Sequence, residues 1–415
     1  MNSPQKSKTR YLNVYFQIHQ PRRLGQFSFF DIGTDRDYFD DGTNQIIMRR
    51  VAKDCYQPTN LLLLKLIKKY PQIRLTFSIS GIALNQMEQF APAVIESFRM
   101  LAATGSVEFL TETYYHSLAC QISADEFAEQ VRMHRTKINH LFGVWPTVFR
   151  NTELIYNDDI GRLVNDLGFD GIFTDGVNSS LTSDHQHHLC EHIDGNGLRI
   201  FFRNCKLSDD IAFRYTKKLT PRKYLKGLQA MDEGGDLVTL GLDYETFGEH
   251  QKKENGIFHF FESLMEVLSL QKKYKMITPS EAIQLLSPTD KISIKDSISW
   301  ADQEHDLSAW LGNEMQRDAF ETVKAMEQDV KRTNNLAYLK AWRYLQTSDH
   351  LYYMSTKTGD DGKVHNYFSP YASPYEAFMN YMNVVSDFAL RIKAHTQPDA
   401  AAKAGQPDIV SKTFV

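Results

Sequence analysis

Seven short β-rich runs, each closing on polar or ionisable residues, constrain this chain more than any other feature of its sequence. They are residues 11–19 (YLNVYFQIH), 74–80 (RLTFSIS), 107–113 (VEFLTET), 147–153 (TVFRNTE), 171–175 (GIFTD), 198–204 (LRIFFRN) and 236–244 (DLVTLGLDY). Helical patterns lie between most of them. Residues 59–69 carry Leu61, Leu64, Leu66 and Ile67 with basic residues opposite; residues 123–141 open on Ser123 with Glu126 three positions later; residues 159–167 stop at Gly168. Strands alternating with helices imply a parallel sheet covered on both faces. The fold class is therefore α/β, and seven such strands point to a closed or nearly closed barrel.

A barrel of this kind places its chemistry at the C-terminal ends of its strands. Those ends read His19-Gln20-Pro21, Thr111-Glu112-Thr113, Asn151-Thr152-Glu153, Asp175, Arg203-Asn204 and Asp243-Tyr244-Glu245. A strand interior has no use for such residues, although tips also turn polar simply by meeting water. From about residue 300 the strands stop. Residues 318–346 and 373–395 read as long helices with a loop at residues 358–363 (TGDDGK), so a helical bundle follows the barrel. The expected division is a barrel over residues 1–290, a bundle completing the cleft over 291–395, and a mobile tail of small, polar and Pro-bearing sequence over 396–415.

Composition narrows the function classes. With 47 Lys+Arg against 51 Asp+Glu the net charge is −4, which argues against a nucleic-acid partner. No window nears the ~20 apolar residues of a membrane span: Leu61 to Leu64 run into Lys65, Lys68 and Lys69. The polar start MNSPQKSKTR lacks a signal-peptide core, and the four cysteines include no C-x-x-C pair, so the expected compartment is the cytoplasm. No phosphate-cradling glycine motif is present.

Glu153 and Asp243, ending the fourth and seventh runs, are the strongest pair. Two carboxylates across a cleft suit glycoside hydrolysis, one attacking the anomeric carbon and the other moving the proton. Either carboxylate could instead be a salt-bridge partner, for example Glu153 with Arg150 or Arg203. Glu245, two residues beyond Asp243, points to the same side if the strand continues, and rivals it as the acid. His19 at a strand tip can bond a sugar hydroxyl and tune a neighbouring carboxylate. Trp310, beside Leu307 and Leu311, is either a stacking platform or core. Asp349-His350 either reaches a cleft mouth from the bundle or caps a helix. The cluster Asp184, His185, His187, His188, Cys190 and His192 has metal-ligand chemistry but no finger spacing, and reads as a solvated loop.

The ordered set His19-Gln20-Pro21, then residues 105–116 (GSVEFLTETYYH), 149–155 (FRNTELI), 243–248 (DYETFG) and 278–281 (TPSE), resembles the five sequence regions of glycoside hydrolase family 57. Residues 306–313 (DLSAWLGN) also resemble the helical region of its α-amylase-like members. The resemblance runs from residue 11 to about 390. It implies a (β/α)7 barrel followed by a helical bundle, and metal-free, cofactor-free, retaining action on an α-glucan such as glycogen, starch or maltodextrin. It implies Glu153 as nucleophile and Asp243 as general acid/base, with His19, Glu108 and His116 lining the subsite where the bond is cut. Arg203, Glu245, Trp310, Asp349 and His350 complete the expected substrate contacts. The chain departs from many members at Tyr114-Tyr115-His116, where they carry tyrosine or phenylalanine followed by glutamate and proline. The resulting expectation is an α-amylase-type enzyme. The rivals are a 4-α-glucanotransferase sharing every catalytic residue, a non-catalytic carbohydrate-binding homologue, and a zinc-dependent hydrolase.

Overall fold

The computed structural model describes residues 9–176, 185–230 and 235–396. Seven parallel strands follow the seven runs: β1 (Arg10–Ile18), β2 (Leu75–Ile79), β3 (Val107–Phe109), β4 (Val148–Arg150), β5 (Gly171–Asp175), β6 (Arg199–Arg203) and β7 (Leu237–Asp243). β1 pairs with both β2 and β7, β2 with β3, β4 with β5, and β5 with β6. Two single bridges supply the other junctions, Thr111 with Phe149 after β3 and Arg203 with Thr239 between β6 and β7. The pairings thus return to the strand from which they start. Three shorter strands escaped the sequence reading: Cys190–His192, antiparallel to β6; Tyr274–Met276, beside the start of β1; and Lys291–Ile292.

Because strand side chains alternate, every second residue of each strand shares one face. On β1, Val14, Phe16 and Ile18 pack outward into a core with Leu63, Leu66, Phe98 and Leu264 of the surrounding helices. The inward set is layered. Inside the barrel Tyr15, Leu110, Val148, Phe173, Phe201 and Leu237 belong to a second apolar cluster, with the Tyr15–Phe173 and Phe173–Phe201 ring centroids 4.8 and 4.9 Å apart. Gly241 is required here: a Cβ would come within 2.4 Å of the Tyr15 ring. Toward the strand ends the inward residues become Gln17, Ser78, Glu112, Arg150, Asp175, Arg203 and Asp243. Polarity therefore rises toward the C-terminal ends of the strands.

The chain divides into two compact units, at places other than residue 290. The barrel unit takes Asp41–Ala309 with the described residues before Arg23; the helical unit takes Arg23–Asp40 with the described residues from Trp310 on. Segment Arg23–Asp40 joins the helices through real bonds: Asn380 Oδ1 accepts from the Phe27 amide (2.7 Å), and buried Asp387 accepts from the Gly33 amide (2.7 Å) and the Tyr38 hydroxyl (2.5 Å).

The helical expectations need two corrections. Residues 318–346 form not one helix but Glu314–Ala325, Glu327–Arg332 and Leu336–Leu345, with Asn334 in the left-handed region (φ 49°) and Asn335 capping the third. Residues 358–363 are not a loop. Gly359–Phe368 is a helix, and Asp360 and Asp361 in its first turn favour the positive end of its dipole. The expected tail lies outside the described residues beyond Thr396. No described helix is long and apolar enough to cross a membrane.

Candidate active site

β4 ends at Arg150, and a tight turn over Thr152–Leu154 then holds Glu153 at φ 55° and Leu154 at φ 55°. Left-handed backbone at non-glycine residues costs on the order of 1–2 kcal/mol each, so the surrounding contacts must hold it. They do. Glu153 Oε1 lies 2.8 Å from His116 Nε2, and Glu153 Oε2 accepts from Trp300 Nε1 at 2.6 Å. His116 is itself left-handed (φ 48°) and fully buried, and its Nδ1 lies 3.4 Å from Glu112 Oε1. The other Glu112 oxygen accepts from Ser78 Oγ (2.6 Å) and Gln17 Nε2 (3.1 Å). His134 fixes the same strand end, accepting from the Glu112 amide and donating to the Ile79 carbonyl. His19 Nδ1 bonds Ser80 Oγ at 2.7 Å, and its ring stacks on His116 at 3.8 Å.

These contacts set charges. Burial pushes the His116 imidazole down, but hydrogen bonds and attraction to Glu112 and Glu153 outweigh it and raise its pKa to about 9. Burial opposes ionisation of Glu112 and Glu153 as well. The hydrogen bond and charge of His116 prevail, taking Glu112 to about 2 and holding Glu153 below the ordinary glutamate range. Asp243, last residue of β7, behaves oppositely: burial first, then repulsion from Glu153, raises its pKa to about 6 against the pull of Arg150 and Arg203. Glu245 rises further, to about 8, through burial and the charge of Asp243.

The strand stops at Asp243, so Glu245 does not continue its period. A turn over Tyr244–Thr246 delivers the Glu245 carboxyl to the Tyr56 hydroxyl (2.5 Å), on a π-helical turn Ala52–Tyr56, with Gln20 as a further donor. Arg203, expected to contact substrate, is occupied within the wall: Nε donates to the Gly241 carbonyl, and its Nη atoms meet Asp175 (3.5 Å) and Asp209 (2.5 Å). Glu108, expected beside the cut bond, is at the opposite end of the barrel. It accepts from the amide and hydroxyl of Ser280, in the first turn of helix Pro279–Leu285, which follows the short strand beside the start of β1. Glu112, four residues further along the chain, is the glutamate that meets His116.

Trp300 and Arg150 were not foreseen as site residues. The Trp300 indole lies between two guanidinium groups, Arg150 at 4.9 Å and Arg203 at 5.2 Å from its centroid. Arg150 is fully buried, and none of its three nitrogens makes a hydrogen bond of ordinary geometry. Its charge instead acts on Glu112, Glu153 and Asp243 together. No sequence period marks the irregular loop that carries Trp300.

Trp310, Asp349 and His350 belong to the helical unit. Trp310 is buried core beside Tyr352, Asp349 faces the Tyr353 hydroxyl at 3.5 Å, and the buried His350 ring lies 5.4 Å from that of Tyr381. The histidine cluster disperses. His185 faces Asp290, His187 meets Asn204, His188 faces Asp236, and His192 Nε2 bonds the Asp158 carbonyl; Asp184 lies outside the described residues. Among the described residues no three His, Cys, Asp or Glu side chains converge as a metal site.

A parallel barrel whose β4 and β7 ends carry two carboxylates shifted in opposite directions suits acid–base hydrolysis. The comparisons narrow that class: the family model "Glycosyl hydrolase family 57" matches residues 13–295, and the chain belongs to this family of glycoside hydrolases. A provisionally named alpha-amylase of Methanocaldococcus jannaschii is 39% identical over 91% of this chain and 84% of its own length. A solved GH57-type branching enzyme of Pyrococcus horikoshii superposes with TM-score 0.66 at 13% identity, covering 97% of this chain and 92% of that one. The 4-alpha-glucanotransferase of Thermococcus litoralis gives TM-score 0.65 at 14% identity, over 83% of this chain and 56% of that one.

Proposed function

We propose that this glycoside hydrolase is a retaining, α-amylase-type enzyme that cuts α-1,4-glucosidic bonds of glycogen, starch or maltodextrins. The observation that carries the reading is the divergence of two carboxylates within one site: Glu153 is held ionised, and Asp243 is held protonated up to about pH 6. That is the pairing a nucleophile and an acid/base require. Glu153 attacks the anomeric carbon while Asp243 gives its proton to the departing oxygen. Asp243 then takes a proton from the water that opens the glycosyl-enzyme. Trp300 donates to Glu153, and His19 stacks on the His116 ring that meets the same carboxylate. The 39% identical relative supports the amylase reading, and the four free cysteines of this chain suit a cytoplasmic enzyme.

Product analysis on maltoheptaose is the test. Shorter sugars alone support hydrolysis. Products longer than seven units would replace this reading with the 4-α-glucanotransferase one, which the likeness to the Thermococcus litoralis enzyme favours. Activity should survive exhaustive chelation; loss restored by zinc would overturn the metal-free mechanism.

A further inference from the structure

Glu112, His116 and Glu153 form a hydrogen-bonded line in which one imidazole lies between two carboxylates, at 3.4 and 2.8 Å. A single partner would suffice to hold Glu153. The second carboxylate acquires a purpose only when the charge on Glu153 is followed through the reaction, and this inference rests on Glu153 being the nucleophile.

We propose that Glu112 and His116 are a positioning pair whose work falls in the second half of the cycle, speeding breakdown of the glycosyl-enzyme more than its formation. In the first step Glu153 begins as a full anion, and its bond to the anomeric carbon forms as the C1–O bond to the leaving glucan breaks. A charged donor such as His116 bonds the free carboxylate more strongly than the half-neutralised transition state, so it slows attack. In the second step Glu153 begins as a neutral ester. Water oxygen bonds C1, its proton passes to Asp243, and the C1–O bond to Glu153 breaks with its electron pair returning to the carboxylate. Negative charge now grows on Glu153, and the same donor stabilises the transition state more than the ground state.

The donor can do this only if it remains an imidazolium while Glu153 is esterified and uncharged. Glu112 ensures that. It is fully buried, bonded by Ser78 and Gln17, and held ionised in part by Arg150. The groups facing His116 are Glu112 from the β3 end, Glu153 from the β4 turn, the stacked His19 ring from β1, and more remotely Asp243 from β7. Once Glu153 is esterified, Glu112 is the nearest remaining anion. The backbone is left-handed at both His116 and Glu153, a local strain carried by the two residues that meet at 2.8 Å.

The test is pre-steady-state release of the phenol from 2-chloro-4-nitrophenyl α-maltotrioside, with the full-length enzyme and its variants. His116→Gln should show a burst approaching one phenol per enzyme, then a steady rate lowered about 10- to 100-fold, the worth of a charged hydrogen bond. Glu112→Gln should behave like the parent at low pH and develop the burst as pH rises past the ordinary histidine range near 6.5, because His116 then loses its proton in the intermediate. Equal slowing of both steps, or a Glu112→Gln burst independent of pH, would overturn the proposal. Should His116→Gln fail to fold, as circular dichroism would reveal, Glu112→Gln alone decides. Trapping with 5-fluoro-α-glucosyl fluoride and peptide mass analysis separates the two readings. No adduct on Glu153 in the parent would remove the nucleophile assignment itself; an adduct without altered step balance would remove only the role of the pair.

Discussion

The turns after β4 and β7 present the same chemical group in opposite surroundings. At Thr152–Leu154 the backbone is forced left-handed, and the carboxylate it carries receives a donor on each oxygen. At Asp243 the backbone is ordinary extended chain (φ −64°, ψ 129°), and among the described residues no side chain donates to the carboxylate. Burial penalises both anions equally in kind. What separates them is donors and near charge, which win at Glu153 and are outweighed at Asp243. Role follows the neighbours rather than the residue type.

Glu153→Gln should break this contrast most severely. It removes the proposed nucleophile while leaving the amide able to bond its neighbours, so turnover should fall by about four orders of magnitude or more with glucan binding retained. A variant keeping a tenth of parental activity would show that the nucleophile is elsewhere.

Asp243→Ala comes next. Cleavage of glycogen should drop ~10²–10⁴-fold, whereas an activated aryl glycoside, which leaves without protonation, should be spared in its first step. Azide should restore turnover on that substrate, since the small anion needs no general base. If Glu245→Ala showed this selectivity and rescue instead, the two acids would exchange roles.

Arg150→Met sharpens the contrast through pH. The proposed mechanism requires Glu153 ionised and Asp243 protonated, so kcat/KM should rise below the ordinary glutamate range and fall above about pH 6. Arg150 lowers both groups; without it both limbs should move to higher pH, with about tenfold loss at pH 5. Limbs that stay in place would show that the buried guanidinium does not tune the pair.

The smallest effect concerns stability. Glu245 binds its proton up to about pH 8 in the folded state but releases it near the ordinary glutamate value when unfolded. The folded state therefore holds more protons between those values, and stability falls as pH rises through that window. Glu245→Gln, which keeps the Tyr56 contact, should be more stable than the parent by about 1–2 kcal/mol at pH 8, and the gap should close near pH 4.5. A gap independent of pH in thermal melts would contradict this.

The sequence was most legible where periodicity meets chemistry. All seven strands and both carboxylates are visible because alternation and tip polarity coincide in runs such as TVFRNTE and DLVTLGLDY. Glu108 and Glu112 show where that reading stops: they share strand parity, and about 13 Å of strand separates them, yet nothing local says which one reaches the tip. The resemblance pointed to Glu108, which ties down a helix at the other end. Trp300 was invisible because its loop has no period, whereas Trp310, conspicuous among leucines, is core. Arg150 was readable only as one half of a salt bridge, and it acts on both carboxylates through its charge. The allegiance of Arg23–Asp40 depends on long-range bonds to Asn380 and Asp387 that no local pattern encodes.

The apolar cluster of Tyr15, Leu110, Val148, Phe173, Phe201 and Leu237 fills the barrel interior below the strand tips. Traffic is then two-way along one road. In the proposed reaction an incoming chain, the departing piece and the water that finishes the reaction would all use the strand-tip side. The fate of the intermediate is then a contest of timing. If the severed chain lingers, it can be rejoined; if it clears first, water takes its place. The balance between cutting and transfer should therefore respond to whatever slows departure at that doorway, long before any change is made to Glu153 or Asp243.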